Sequence, residues 1–184
     1  MRKTVQIVLT ILLFLSLTRQ TFAQNVAGNS AKISYNSGNN TELDDYFQKR
    51  LAIRKVMEKY QSPLINSVDD FMATCITYKL DCYLLPAITG TESTFGRFIY
   101  PNSYNGFGWG GGIIMFKNWS EAINTVGKGL RENYLNKGAK TPDQIGPIYA
   151  ESPTWSSKVN RFMAELRREE ENLSLYMKAN QVEL

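Results

Sequence analysis

Glu92 is the residue whose type and surroundings best suit it to chemistry. A carboxylic acid can donate a proton near neutral pH only if it is still protonated there, which requires a desolvating setting that raises its pKa. Glu92 closes an apolar stretch running from Leu84 to Thr91, with Phe95 and Phe98 just beyond it. Shortly after comes Asn105-Gly106-Phe107-Gly108-Trp109-Gly110-Gly111-Gly112, with five glycines in eight positions, a composition suited to a tight loop facing a ligand. Acid–base work of this kind commonly recruits a second carboxylate. The candidates are Glu121 and Glu151; Asp143 and Glu121 also sit where an acid favours a helix start. The chain has no histidine. That excludes a Ser-His-Asp or Cys-His nucleophile and a His-ligated catalytic zinc, so no metal site and no cofactor is expected.

Aromatic residues near these positions offer flat faces. Tyr104, Trp109, Tyr149 and Trp155 are candidates for stacking on a ligand, Trp109 most of all because glycines flank it, whereas Phe107 reads as core.

Helices must position these groups. Leu43, Phe47, Leu51, Arg54 and Met57 recur three and four residues apart, predicting a helix from Glu42 to about Tyr60 with those residues on its inner face. Ser67-Val68-Asp69-Asp70 reads as a capping-box start for a second helix with Phe71, Ile76 and Leu80 inward. Asp81 can cap a third, running through Leu84, Leu85 and Ile88 to Glu92, with Pro86 making its first turn irregular. Residues 96–118 read as loop, ending in a short buried run, Ile113 to Phe116. Asn118 or Ser120 starts a fourth helix carrying Trp119, Ala122, Ile123, Val126, Leu130 and Tyr134, and Gly138 stops it. Thr141-Pro142-Asp143-Gln144 starts a short helix to Tyr149, and a last one runs from about Ser156 into the 170s. The charge run Arg167–Glu171 reads as a solvated face. The expectation is an all-α domain of five or six helices.

Four segments, in order, carry a resemblance. Leu84-Leu85-Pro86-Ala87-Ile88-Thr89-Gly90-Thr91-Glu92-Ser93-Thr94-Phe95-Gly96 resembles the catalytic helix of the lysozyme-like superfamily, which closes on a Glu-Ser-x-Phe step. Ser103-Tyr104-Asn105-Gly106-Phe107-Gly108-Trp109 is similar to the Asn-x-Phe-Gly loop of its bacterial endo-β-N-acetylglucosaminidase group. Trp119-Ser120-Glu121-Ala122-Ile123 resembles that group's next helix, and Ile148-Tyr149-Ala150-Glu151-Ser152-Pro153-Thr154-Trp155 its Tyr-Ala-x-x-Pro-x-Tyr ending, with Trp155 in place of the usual Tyr. The Gly-Leu-Met-Gln step of the soluble lytic transglycosylases is absent; Gly110–Gly112 and Ile113-Ile114 occupy that region. The resemblance covers about residues 60–168. It implies a lysozyme-like domain whose Gly- and aromatic-rich loop lines a glycan cleft, with Glu92 as general acid and Ser93, Tyr104, Asn105, Trp109, Tyr149 and Trp155 at the substrate. It further implies cleavage of β-1,4 bonds in peptidoglycan glycan strands by a glucosaminidase. A lytic transglycosylase or muramidase using the same Glu92, or a wall-binding module without activity, are the alternatives.

Composition sets the surroundings. Met1-Arg2-Lys3, the apolar run Val5 to Leu17 and Thr21-Phe22-Ala23 read as a signal peptide over 1–23, shorter than a membrane span needs. Three cations, Arg2, Lys3 and Arg19, lie in it, leaving 18 of the 21 basic residues against all 17 acidic ones. The rest of the chain is nearly neutral, which argues against a nucleic-acid partner. A monomeric protein, secreted or periplasmic and free of the membrane once the signal is cleaved, is expected. Residues 24–41, rich in Asn, Ser and Gly, read as a linker, 42–178 as one domain with its core in 60–168, and 179–184 as a tail. Cys75 and Cys82 straddle a helix–turn–helix corner, so in an oxidising compartment a disulfide is expected.

Overall fold

The computed structural model describes residues 37–181, with side chains over 41–179. The expected signal peptide and residues 24–36 of the expected linker lie outside the described residues. Six α-helices and no strand are present among them: α1 (Ser37–Lys59), α2 (Val68–Thr77), α3 (Leu84–Ser93), α4 (Trp119–Asn133), α5 (Pro142–Tyr149) and α6 (Trp155–Gln181). The all-α expectation therefore holds. Two boundaries differ: α1 begins at Ser37, within the expected linker, and α6 runs to Gln181, into the expected tail.

α3 is the central element. Leu84 through Gly90 and Ser93 are all buried, and a helix apolar on every side belongs in the middle of a fold. Asp81 does not cap it as expected: Tyr83 holds the N-cap position with no side-chain cap bond, and Asp81 accepts from the Tyr83 amide at 2.9 Å just ahead of the helix. Pro86 falls within the first turn, where a missing amide leaves no helical bond unmade. α6 packs along α3 and also meets α5. At Gly90 the approach of α3 and α6 is so close that a β-carbon would stand 2.8 Å from the Phe95 ring and 3.0 Å from that of Phe162. α2 crosses α4 at Gly127, where a β-carbon would lie 2.2 Å from the Thr74 methyl. Arg131 of α4 donates to the carbonyls of Tyr78 (2.5 Å) and Lys79, meeting the negative end of α2. Cys75 and Cys82 form a disulfide with Cα atoms 5.0 Å apart, joining α2 to the approach of α3.

Capping follows the side chains with oxygen at the right offset. Asn118 accepts from the Glu121 amide at 2.8 Å, and Thr141 with Gln144 forms a full capping box for α5. Ser67 makes no such bond. The chain enters α2 from a 3-10 turn, Pro63–Ser67, and it is Ser62 that caps this turn, accepting from the Leu64 amide at 3.0 Å.

Several burial expectations are corrected. The inner face of α1 is Ala52, Ile53, Val56 and Met57; Leu43 and Phe47 are exposed. Ile76 is 60 % exposed; the inner face of α2 is carried by Val68, Phe71, Met72 and Cys75. Of the run Ile113–Phe116 only Phe116 is buried; Ile113 is 82 % exposed at the tip of a loop. Phe98, beyond α3, is also exposed. Part of the charge run ties α6 down: Arg167 pairs with Asp81 at 2.6 Å, and Glu170 accepts from the buried Tyr83 hydroxyl at 2.7 Å. No helix among the described residues is long and apolar enough to cross a membrane.

The disulfide closes a loop of about eight residues, for which chain entropy gives about 2.5 kcal/mol. Cys75→Ala with Cys82→Ala lowers the urea midpoint by the equivalent of about 2 kcal/mol, and an unchanged midpoint would show that the packing of α2 on α4 holds this corner alone.

Candidate functional site

α3 ends abruptly one residue after Glu92. Thr94, Phe95 and Gly96 all adopt left-handed backbone angles, with φ of 50°, 56° and 80°. For a β-branched residue such as Thr94 this costs about 1–2 kcal/mol, so it persists only where its surroundings enforce it. They do so through Ser93, whose buried hydroxyl lies 3.0 Å from the Thr89 carbonyl and 2.8 Å from the Gly106 carbonyl and accepts from the Gly96 amide at 2.8 Å. Ser62 adds a bond to the Phe95 carbonyl at 2.7 Å, and the Phe95 ring is buried between Tyr60 and Phe162. Ser93, which the resemblance places at the substrate, is thus a clasp between α3 and the glycine-rich loop.

Asn105 organises that loop. Its side-chain oxygen accepts from the Trp109 amide at 3.0 Å, and its nitrogen donates to the carbonyls of Trp109 (2.9 Å) and Ile114 (3.1 Å). It too is buried and engaged with protein rather than open to a ligand. With both ends pinned, Gly108 (φ +62°) lies so close to Glu92 that a β-carbon there would stand 2.7 Å from the Oε2 atom.

Glu92 is exposed as a residue, while its carboxyl is half-buried against this loop and the start of α6. The Trp155 indole nitrogen donates to its Oε1 at 2.6 Å. Burial raises the Glu92 pKa above the ordinary carboxylate value; the Trp155 hydrogen bond and the charge of Lys158 pull the other way without cancelling it. Trp155 is only 3 % exposed, so it orients the acid and offers no open face to a ligand, contrary to the expectation of stacking. Its ring lies against Tyr149, centroids 4.7 Å apart and planes 28° from parallel. The Tyr149 hydroxyl donates to the Phe107 carbonyl at 2.7 Å, and burial, with Glu92 nearby, holds it firmly neutral. Trp109 continues the cluster, 5.8 Å from Tyr149 and 6.4 Å from Tyr134, set against α4 where Gly129 leaves room for its ring. Phe107 is core, as expected.

The remaining candidates lie apart from this cluster. Tyr104 packs edge-on against Trp119, centroids 5.3 Å apart. Glu121 accepts from the Lys117 amide at 2.6 Å and completes the cap of α4. Asp143 faces Asn160 at 3.3 Å, and Glu151 is an exposed loop residue. Among the described residues no carboxylate acts on the ionisation of Glu92. Two residues at the site had not been singled out from sequence: Lys158, and Gly108 as a contact of the acid. The spacing of Lys158 from Trp155, one helical turn, was the available signal for the first.

The Glu92 side chain is reached from the exposed surface. A cavity of about 490 Å³ lies elsewhere, between α1, the disulfide corner and α6. Its charged walls pair with one another, as in Arg167–Asp81 and Lys49–Asp45, so volume alone does not make it a site.

No protein-family model matches the chain, and no curated protein matches it.

Because the indole N–H favours the ionised carboxylate, its removal raises the Glu92 pKa further. In Trp155→Phe the carboxyl titration followed by carbon-13 NMR moves to higher pH; an unchanged or lower midpoint would show that this hydrogen bond does not set the ionisation. The elevated pKa also means that the folded state binds the Glu92 proton more tightly than the unfolded one. Its stabilising effect is complete below the ordinary carboxylate pKa and is lost as pH rises through the folded value. Glu92→Gln, which keeps an oxygen for Trp155, therefore gains stability over wild type as pH rises from 4 to 8, read as a growing Tm difference; a constant difference would contradict the linkage.

Proposed function

We propose that this protein cleaves β-1,4 glycosidic bonds in the glycan strands of peptidoglycan, as an endo-β-N-acetylglucosaminidase with Glu92 as general acid. One observation carries the reading: a carboxyl group, kept prone to protonation by burial, is aimed by the Trp155 indole at an accessible surface beside an aromatic cluster. The order of motifs around Glu92 supports the lysozyme-like assignment. In the reaction Glu92 gives its proton to the bridging oxygen as the bond from that oxygen to the anomeric carbon breaks, and the departing sugar leaves as an alcohol. Trp155 then steadies the carboxylate left behind.

The electron-deficient anomeric carbon must be captured. A neighbouring group of the substrate can fill that role without a second acid. In a glucosaminidase the N-acetyl oxygen closes on the anomeric carbon, and a water that gives a proton to Glu92 then opens that ring to leave a reducing-end N-acetylglucosamine; in a transglycosylase the muramyl 6-hydroxyl attacks, with Glu92 taking up its proton. The latter reading is kept beside the first because the same single acid satisfies both. Such a protein works outside the cytoplasm as a monomer, secreted or periplasmic; the disulfide is in keeping with an oxidising compartment.

Clearing of purified cell wall in a zymogram, followed by product mass, tests this. Wild type clears, and Glu92→Gln loses about 100- to 10,000-fold in rate. A reducing-end N-acetylglucosamine marks the glucosaminidase, reducing-end muramic acid a muramidase, and a 1,6-anhydro end the transglycosylase. Retained clearing by Glu92→Gln removes Glu92 from the chemistry, and binding without clearing by wild type leaves a wall-binding module.

A further inference from the structure

Lys158 stands one helical turn beyond Trp155, the residue that holds the acid, and so projects from the same side of α6. It is exposed and forms no ion pair among the described residues. Lys55 and Lys140 are likewise exposed and without an ion pair among the described residues; what sets Lys158 apart is its place one turn from Trp155 and its charge acting on Glu92. The charged or titratable groups that face Glu92 are Lys158 and Tyr149, and Tyr149 is committed to the Phe107 carbonyl. An unpaired cation beside a proton donor favours the wrong, ionised form of that donor. The arrangement suits catalysis once something negative lies against the lysine, for then its field on Glu92 is cancelled while the site is occupied.

We propose that Lys158 is the specificity-determining residue of this site and binds a carboxylate carried by the glycan, either the lactyl-ether acid of the sugar or an acid of an attached peptide. This rests on the glycan-cleaving reading of Glu92. It gives the site a preference for acidic amino-sugar strands over neutral N-acetylglucosamine polymers, whose rings would meet the same aromatic surroundings without the ion pair.

Calorimetric binding to the Glu92→Gln chain tests it with three probes: neutral chitotetraose, the N-acetylglucosamine–N-acetylmuramic acid disaccharide with a free lactyl carboxylate, and the same disaccharide bearing its peptide. Adding Lys158→Gln weakens one or both acidic probes about tenfold or more at low salt, and leaves chitotetraose unchanged within roughly twofold, while Lys158→Arg retains the acidic probes. Loss on the plain disaccharide assigns the lactyl acid, and loss on the peptide-bearing form alone assigns the peptide. Equal effects on all three probes, no effect, or no binding of either acidic probe by the Glu92→Gln chain overturns the inference. Wall clearing by wild type, run in parallel, separates the two claims. Clearing without a selective loss discards the role of Lys158 alone. A selective loss without clearing keeps that role and discards cleavage.

Discussion

The Ser93 hydroxyl joins three backbone groups that otherwise belong to separate pieces of chain: the last turn of α3, the left-handed exit at Gly96 and the start of the glycine-rich loop at Gly106. Everything at the Glu92 surface depends on that junction. The exit through Thr94 and Phe95 is unfavourable on its own, and it turns the chain back sharply enough to bring the loop beside the helix end. Once there, Asn105 pins the loop at Trp109 and Ile114, and Gly108 comes to rest against the carboxyl. A bulkier residue at 108 would collide with Glu92, and one at 90 would push Phe95 and Phe162 apart. The acid is therefore held from below by packing and from the side by backbone.

The ionisation of Glu92 is a contest among three influences of different reach. Burial acts on the charged form and raises the pKa; the indole N–H and the Lys158 charge act on the same form and lower it. Burial wins, yet the hydrogen bond also fixes where Oε1 points, so one contact both aims the acid and restrains how far its pKa rises. The Trp155 ring can do this because it is buried against Tyr149, and Tyr149 in turn is anchored to the loop through the Phe107 carbonyl. The aromatic residues around the acid act first as a scaffold, with Trp109 at the partly exposed end of the series.

This division explains what could be read from the residues in advance. Helix type, order and two of the caps were legible, because apolar spacing and oxygen-bearing side chains at fixed offsets act locally: Asn118 and Thr141 with Gln144 perform as their positions suggest, whereas Asp81 bonds the Tyr83 amide ahead of α3 without capping it. Glu92 at the end of an apolar helix was legible for the same reason. Local patterns fail where tertiary neighbours decide. Ile113 and Ile114 look like core by composition, but a loop pinned at its base by Asn105 carries them outward. Leu43, Phe47 and Ile76 keep a helical period yet stand exposed among the described residues. Ser93, Asn105 and Trp155 were expected at the substrate; their structural roles as clasp, loop anchor and indole donor depend on contacts made 13, 9 and 63 residues away in sequence, which spacing alone does not encode.

The two ends of α3 are built to opposite requirements. Its start is secured redundantly, by the disulfide at Cys82, the Asp81 bonds to Tyr83 and Arg167, and the Tyr83–Glu170 bond to α6. Its end carries the strained exit and a partly desolvated acid, both unfavourable to stability. A helix buried from Leu84 to Gly90 couples them: Glu92 is kept in place by a rod whose far end is stapled, and the strain at Thr94 cannot relax by sliding the helix, because Gly90 is already in contact with Phe162 of α6. The same stapled end adjoins the cavity between α1, the disulfide corner and α6, whose ion-paired walls belong to that bracing. Bracing contacts are concentrated at the start of α3, and the unfavourable terms gather at its end, around the half-buried Glu92 carboxyl.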